Sequence, residues 1–383
     1  MSDDANRALL PAGLRDLLPP EAAHEAQLSA HLLAVLAAHG YERVGPPLVE
    51  FEDGLLSGLG AATASDTFRL MDPVSQRMMG VRADMTPQVA RLATTRLARL
   101  ARPLRLSYAG EVLRVRGSQL RPERQFVQVG AELIGSASAE ADAEAVLLAA
   151  EALQQVGVKQ LSVDLSSPTL VTALIASLGA SAAETAQLRA ALERKDAAEA
   201  ARVGGPAGSL ARALLEAAGK AEHALPALAA LALPPEAAAE AERLAAAADL
   251  VLKGKRELAL TIDPVEYRGF EYQTGVSFTI FARGVRGELG RGGRYRAGEA
   301  PGEPATGFTL YLDSVIRAAP EPVPAERLLL PYGSAPEIGR KLRAEGWITL
   351  AGLEPAPDAR AEAKRLGCTH LWRDGKIVAL DEL

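Results

Sequence analysis

The sequence predicts an α+β protein with a helical insertion and a small C-terminal α/β domain, and three observations carry that prediction. Extended, partly polar runs fill the region after residue 40 and return beyond residue 256. From about 167 to 252 the composition turns to alanine, leucine and glutamate with helical periodicity and little strand signal. After a proline-rich stretch, strand and helix patterns alternate in short units. A chain of 383 residues exceeds one comfortable core, so a division into domains spanning 1–320 and 321–383 is expected.

Taken in order, the chain opens with Leu28, Leu32, Val35 and Leu36 at helical spacing, and Gly40 stands where that helix should end. The runs "YERVGPPLVEF", "TFRLMD" and "RMMGVRAD" read as strands, and "TPQVARLATTRLARL" as a helix starting at Thr86 and Pro87. Two extended runs, "RLSYAGEVLRVR" and "RQFVQVGAELIG", follow, joined by a polar loop. A helix from near Ser138 to Gly157 carries Glu140, Asp142 and Glu144 toward its positive end. Beyond the insertion, "ELALTIDPVEYRGFEYQTGVSFTIFARG" and "RGELGRGGRY" read as strands and "TGFTLYLDSVIRAA" as a helix. The stretch "PEPVPAE" reads as an extended linker. The tail then alternates strand and helix twice and closes with a hairpin turning at Asp374 and Gly375. No internal repeat is present.

Composition excludes several classes. With 48% hydrophobic and 23% charged residues the chain is globular, and a net charge of −6 without a basic run argues against binding through a nucleic-acid backbone. Cys368 stands alone, so no intrachain disulfide or cysteine metal cluster is possible, and five scattered histidines give no metal site. No cofactor is expected. The acidic start "MSDDANRALLPAG" lacks the features of a secretion signal, and no run is apolar enough to span a membrane, so a cytoplasmic location is expected.

Function is concentrated in the polar strands. Strand alternation turns Arg82 and Asp84 the same way, and sets Gln128, Gly130 and Glu132 on one face. A glycine between two polar residues leaves the sheet bare, which suits a small ligand lying on the strand; a solvated face with a bulge explains the same pattern. Arg114 in "VLRVR" and Arg268, Tyr272 and Gln273 in "YRGFEYQTG" add cations and an aromatic wall. Arginines for a carboxylate and acids for an ammonium or imidazolium are the complement of an amino acid with a polar or basic ring. Arg82 equally reads as a structural ion-pair partner, and Thr86 as a helix cap.

The ordered segments "PAGLRDLLPPEA", "GYERVGPPLVE", "VRADMTPQVAR", "GEVLRVRGSQLRPERQFVQVGAELIG", "EYRGFEYQTGVSF", "GRGGRY" and "GFTLYLDSVIR" resemble the catalytic domain of class II histidyl-tRNA synthetases from about Pro11 to Arg317. That resemblance implies an antiparallel sheet with flanking helices. Carried over by position, it puts Asp84, Thr86 and Gln128 at an α-amino group, Glu132 at an imidazole, Arg268 near a carboxylate and Tyr272 against the ring. The family's second tyrosine is Gln273 here. Its third-motif arginine is Ser314, the glutamate two residues after Arg114 is Arg116, and the aspartate after "GGRY" is Arg296. Losing cations aimed at nucleotide phosphates removes the means of adenylation. "GRGGRY" is no phosphate-binding loop either, lacking the lysine and hydroxyl residue that should follow.

A retained amino-acid pocket, a disabled nucleotide site and a short tail with nearly balanced charge resemble the synthetase paralogues that serve as regulatory subunits of ATP phosphoribosyltransferase. This resemblance implies a non-catalytic protein, a partner in the short-form catalytic subunit, self-association as a dimer within the complex, and feedback inhibition by histidine bound through Asp84, Thr86, Arg114, Gln128, Glu132, Arg268 and Tyr272. The alternatives are a divergent histidyl-tRNA synthetase or another amino-acid-activating ligase.

Overall fold

A computed structural model describes residues 9–117, 121–177, 179, 181–203, 205–266 and 272–381. Two compact units result, Met1–Pro320 and Glu321–Leu383. In the first, helix α1 (Glu21–Ala38) buries Leu28, Leu32 and Leu36, and leads to strand β1 (Glu42–Arg43). Strands β2 (Val49–Phe51), β3 (Phe68–Met71) and β4 (Met78–Val81) form a small antiparallel sheet in the order β2-β4-β3. Helix α2 (Thr86–Thr94) follows and stops earlier than its periodic sequence suggests, at Thr95.

The main sheet is built on β5 (Leu104–Leu113) and β6 (Gln125–Ile134), paired antiparallel with Gly110 opposite Gln128 and Tyr108 opposite Gly130. Helix α3 (Ala139–Gln155) starts at Ser138, whose hydroxyl accepts from the Ala141 N–H. Strand β7 (Leu161–Ser166) was not evident in the sequence pattern, because it is short and runs directly into the helical stretch. The insertion comprises α4 (Pro168–Ser177), α5 (Ala182–Glu193), α6 (Ala197–Arg202), α7 (Gly205–Glu216), the short strand β8 (Gly219–Lys220), α8 (Ala221–Ala229) and α9 (Pro235–Gly254). Strands β9 (Ala259–Asp263), β10 (Ser277–Ala282), β11 (Gly290–Ala297) and β12 (Glu303–Tyr311) complete a nine-stranded sheet in the order β1-β5-β6-β12-β11-β10-β7-β9-β8. All its pairs are antiparallel except β1 with β5 and β7 with β9.

One expectation fails at the end of this unit. "TGFTLY" is the end of strand β12, and the helix, α10 (Leu312–Ala318), begins only at Leu312. Thr306, Phe308, Thr309 and Tyr311 are β-branched or aromatic, and β12 is held between β11 and β6, so pairing on both edges decides the conformation.

The two faces of β6 meet different cores. Val129 and Ala131 join α1, α3 and the insertion helices in one apolar cluster that includes Leu153, Val163, Leu188 and Leu244, so the insertion is not a separate body. Phe126 and Ile134 face Met85, Val89, Tyr108, Tyr295 and Tyr311 in a second cluster under α2. The polar residues Gln128 and Glu132 share this second face and are each 1% exposed, which removes the solvated-face reading of this strand.

A buried ion pair ties the layers together. Arg294 on β11 bonds the Asp142 carboxylate of α3 at 2.9 and 3.1 Å, and donates to the Ser136 and Ser138 carbonyls at 2.8 Å. The glycine-rich run "GRGGRY" therefore serves close packing, since a Cβ on Gly292 would lie 2.3 Å from the Gly307 carbonyl oxygen.

The second unit holds β13 (Arg327–Leu330), α11 (Pro336–Ala344), β14 (Ile348–Ala351), α12 (Ala359–Arg365), β15 (His370–Arg373) and β16 (Lys376–Ala379), in the order β14-β13-β15-β16. Asp374 and Gly375 turn its hairpin with φ of 50° and 78°. Cys368 is a buried free thiol here.

Replacing Asp142 with alanine leaves Arg294 buried without its carboxylate. The expected outcome is a loss of about 3 kcal/mol in unfolding free energy, read as a lower urea midpoint at unchanged slope.

Candidate functional site

The site is organised around Glu132. Its Oε1 accepts from the Thr86 hydroxyl at 2.9 Å and the Tyr108 hydroxyl at 3.2 Å, and its Oε2 accepts from the Tyr295 hydroxyl at 2.9 Å. Tyr108 also meets the Thr309 hydroxyl at 2.6 Å. Burial dominates and pushes the Glu132 carboxyl up to about 8; the three hydroxyls oppose the shift and the nearby Asp84 charge adds to it. Burial likewise holds the phenols of Tyr108, Tyr272 and Tyr295 well above their ordinary value, so they remain donors.

Glycines make this carboxylate possible. A Cβ on Gly307 of β12 would stand 1.9 Å from the Glu132 Oε2. Gly130 has another use than the one its sequence context suggests: a Cβ there would lie 2.4 Å from the Tyr108 ring, so the space above it belongs to Tyr108 and no bare strand patch exists.

Around Glu132 lies a small chamber of about 30 Å³, lined by Asp84, Thr86, Tyr272, Gln273, Tyr295 and Thr309 among others. That volume holds a water or two. Asp84, Tyr272, Arg291 and Tyr311 also line a wider cleft of about 540 Å³ that contains Arg114, Arg116, Arg121 and Ser314. Tyr272 meets Tyr295 edge-on with ring centroids 6.2 Å apart.

The other sequence-predicted residues divide. Asp84 lies beyond the end of β4, and its Oδ1 accepts from the Thr86 N–H at 3.2 Å. Strand alternation therefore does not govern Arg82, which turns away to the Glu111 and Pro46 carbonyls at 2.7 and 2.9 Å and is structural, though bonded to carbonyls rather than to an acid. Thr86 is no cap: its hydroxyl goes to Glu132, and α2 has no side-chain cap. Gln128 supports the site from behind, its Oε1 accepting from the Met85 N–H at 2.9 Å. Arg114 lines the cleft instead of the chamber and donates to the Ala83 carbonyl at 3.2 Å. Arg268 lies outside the described residues.

Sequence reasoning missed Tyr108, Tyr295 and Arg121. Tyr108 was findable, because it faces Gly130 across the β5–β6 pair. Arg121 stacks 3.5 Å above the Tyr311 ring and lies 3.7 Å from both Asp313 and Glu288. Two further cleft arginines are compensated as well: Arg116 reaches Asp66 at 3.5 Å and Arg291 binds Glu288 at 2.8 Å. Ser314 occupies the third-motif position and accepts from Arg317 at 2.9 Å.

The histidyl-tRNA synthetase family model matches residues 13–315. The chain is 59% identical to an ATP phosphoribosyltransferase regulatory subunit of Rhodospirillum centenum and 58% identical to one of Paramagnetospirillum magneticum, with all of each chain covered in both cases. The chain belongs to the family of ATP phosphoribosyltransferase regulatory subunits, within the histidyl-tRNA synthetase fold. A crystal structure of an ATP phosphoribosyltransferase regulatory subunit/histidyl-tRNA synthetase from Bacillus halodurans superimposes with a TM-score of 0.80 at 24% identity, covering 93% of this chain and 96% of that one. The likeness agrees with the α+β, class II synthetase-like architecture of this regulatory-subunit family member. Among the described residues no group of histidines, cysteines and acids could hold a metal, and no helix is long and apolar enough to cross a membrane.

The raised Glu132 value sets a pH dependence of stability. Below its ordinary value of 4.5 the carboxyl is protonated in both states and its stabilising contribution is complete. As pH rises toward about 8, the unfolded chain releases a proton that the folded chain keeps, so stability falls. Urea midpoints between pH 5 and pH 8 should therefore decline in the native protein and less steeply in Glu132→Gln, whose amide does not titrate.

Proposed function

We infer that this regulatory subunit acts beside the short-form catalytic subunit of an ATP phosphoribosyltransferase, and that its chamber binds free histidine as the feedback signal. The reading rests on one observation above all: a fully buried carboxylate, ringed by hydroxyls, adjoins a second acid at the mouth of an open cleft. Glu132 and the edge of Tyr272 suit a polar ring, Asp84 suits an ammonium, and Arg114 stands in the cleft where a carboxylate can be reached. The chamber admits the leading edge of a five-membered ring, so an amino acid spans chamber and cleft.

Adenylation by this chain is disfavoured by the same cleft. Three of its arginines, Arg116, Arg121 and Arg291, are engaged by Asp66, Glu288 and Asp313, and Ser314 offers a hydroxyl where phosphate charge would need an arginine. In the assembled enzyme histidine acts by differential binding: it favours the inhibited arrangement only to the extent that it binds that arrangement more tightly. Self-association as a dimer within that assembly completes the proposed organisation.

Calorimetric titration of the native chain with histidine should show binding, and Asp84→Ala and Glu132→Gln should each weaken it about 10- to 100-fold. The catalytic subunit reconstituted with either variant should keep its rate and lose its sensitivity to histidine. Histidine-dependent pyrophosphate exchange by the chain alone would instead establish a working synthetase.

A further inference from the structure

The chamber is lined by a buried acceptor that no described residue satisfies. The amide oxygen of Gln273 is buried and has no hydrogen-bond partner among the described residues, although it lines the same small space as Glu132. A buried acceptor left unsatisfied is costly, and in a native protein it calls for a donor from outside.

None of the described groups that line the chamber donates to the Gln273 oxygen. The hydroxyls of Thr86 and Tyr295 are committed to Glu132, and Tyr108 and Thr309 are bonded to one another. A carboxylate offers about four acceptor positions, and Glu132 has three filled, two on Oε1 and one on Oε2. One acceptor position on Oε2 therefore remains. The charged and titratable groups facing this space are Asp84 beyond β4, Glu132 on β6, Arg291 and Tyr295 on β11, Tyr311 on β12, and Tyr272. Arg291 is bound through both oxygens of Glu288, at 2.8 Å each, so the uncompensated charge is negative.

We propose that Gln273 is a specificity-determining residue: its amide oxygen accepts one ring N–H of the ligand while Glu132 accepts the other, so that the site takes the ring as an imidazolium. Only the cationic ring carries a donor on both nitrogens; the neutral ring presents one donor and one acceptor. The inference rests on the histidine reading given above and adds to it the form in which the ring is held.

The proton balance is closed within the pair. A neutral ring entering beside a protonated Glu132 takes the carboxyl proton, leaving a carboxylate and an imidazolium with no exchange with solvent. The pH profile of affinity is therefore not diagnostic, because a neutral ring beside a protonated carboxyl and a cationic ring beside a carboxylate contain the same protons. The ring nitrogens themselves distinguish the two.

The test is the nitrogen NMR spectrum of ring-labelled histidine bound to the full chain, together with calorimetric affinities for the native protein, Gln273→Met and Gln273→Glu. In the native complex at pH 7.5 the two ring nitrogens should give nearly coincident shifts, the mark of an imidazolium. Gln273→Met keeps the volume without an acceptor; it should bind at least about tenfold more weakly and give widely separated shifts. Gln273→Glu keeps an acceptor and should retain coincident shifts and native or tighter affinity, which also covers the case in which the methionine variant fails to fold. Widely separated shifts in the native complex, or unchanged affinity in Gln273→Met, overturn the proposal and leave histidine binding intact. Absence of any histidine binding by the native chain overturns the underlying reading as well.

Discussion

The burial of one carboxylate constrains most of this molecule's first unit. Glu132 can be held at 1% exposure only because hydroxyls from α2, β5 and β11 converge on it, and only because Gly307 leaves its Oε2 room. Each supplier comes from a different element, so the register of β5 on β6, the placement of β11 beside β12 and the seat of α2 on the sheet are all fixed by the same group. Burying an ionisable group costs free energy that an apolar side chain would not, which makes retention of such a costly arrangement an argument for recognition over stability.

Helix α2 is held at both ends. Its start is tied to β6 through Met85 N–H to Gln128 and Thr86 to Glu132, and it is tied to β2 through Gln88 in the first turn and Arg91 in the last, both bound to Glu50. The polar run "VRADMTPQVAR" is thus a bracket between the chamber and the small sheet, with Asp84 the member that faces the open cleft. A helix so anchored cannot shift at the chamber without loading its contacts to β2.

Much of the fold was legible because periodicity and turn chemistry are local. The hairpin at Asp374–Gly375, helix α1 and the Ala-rich insertion follow from residues close in sequence. The failures have a common cause: "LSVDLS" and "TGFTLY" are strands held by neighbours far away in the chain, and periodicity within either run does not separate a short buried strand from a helix end. The site shows the same limit. Alternation put Gln128, Gly130 and Glu132 on one face, but only the register reveals that Tyr108 stands over Gly130 and that Gln128 is spent on a backbone amide. Arg82 was misassigned to a shared face because the strand ends one residue before it.

Loss of nucleotide chemistry need not have required loss of the arginines. Arg116, Arg121 and Arg291 are present in the cleft, yet each faces a carboxylate, and a phosphate arriving there must displace an existing partner before it gains one. The free energy available to bind and polarise a triphosphate is reduced by what those pairs already contribute, while the chamber behind them keeps unfilled acceptor capacity on Glu132 and Gln273. Paired arginines in the cleft and open acceptors in the chamber divide the pocket by charge: Arg116, Arg121 and Arg291 are poorly disposed to a triphosphate, while the chamber is open to a small cation. That asymmetry bounds what such a ligand can do, since its effect on a partner subunit cannot exceed the difference in its affinity for the two arrangements of the complex.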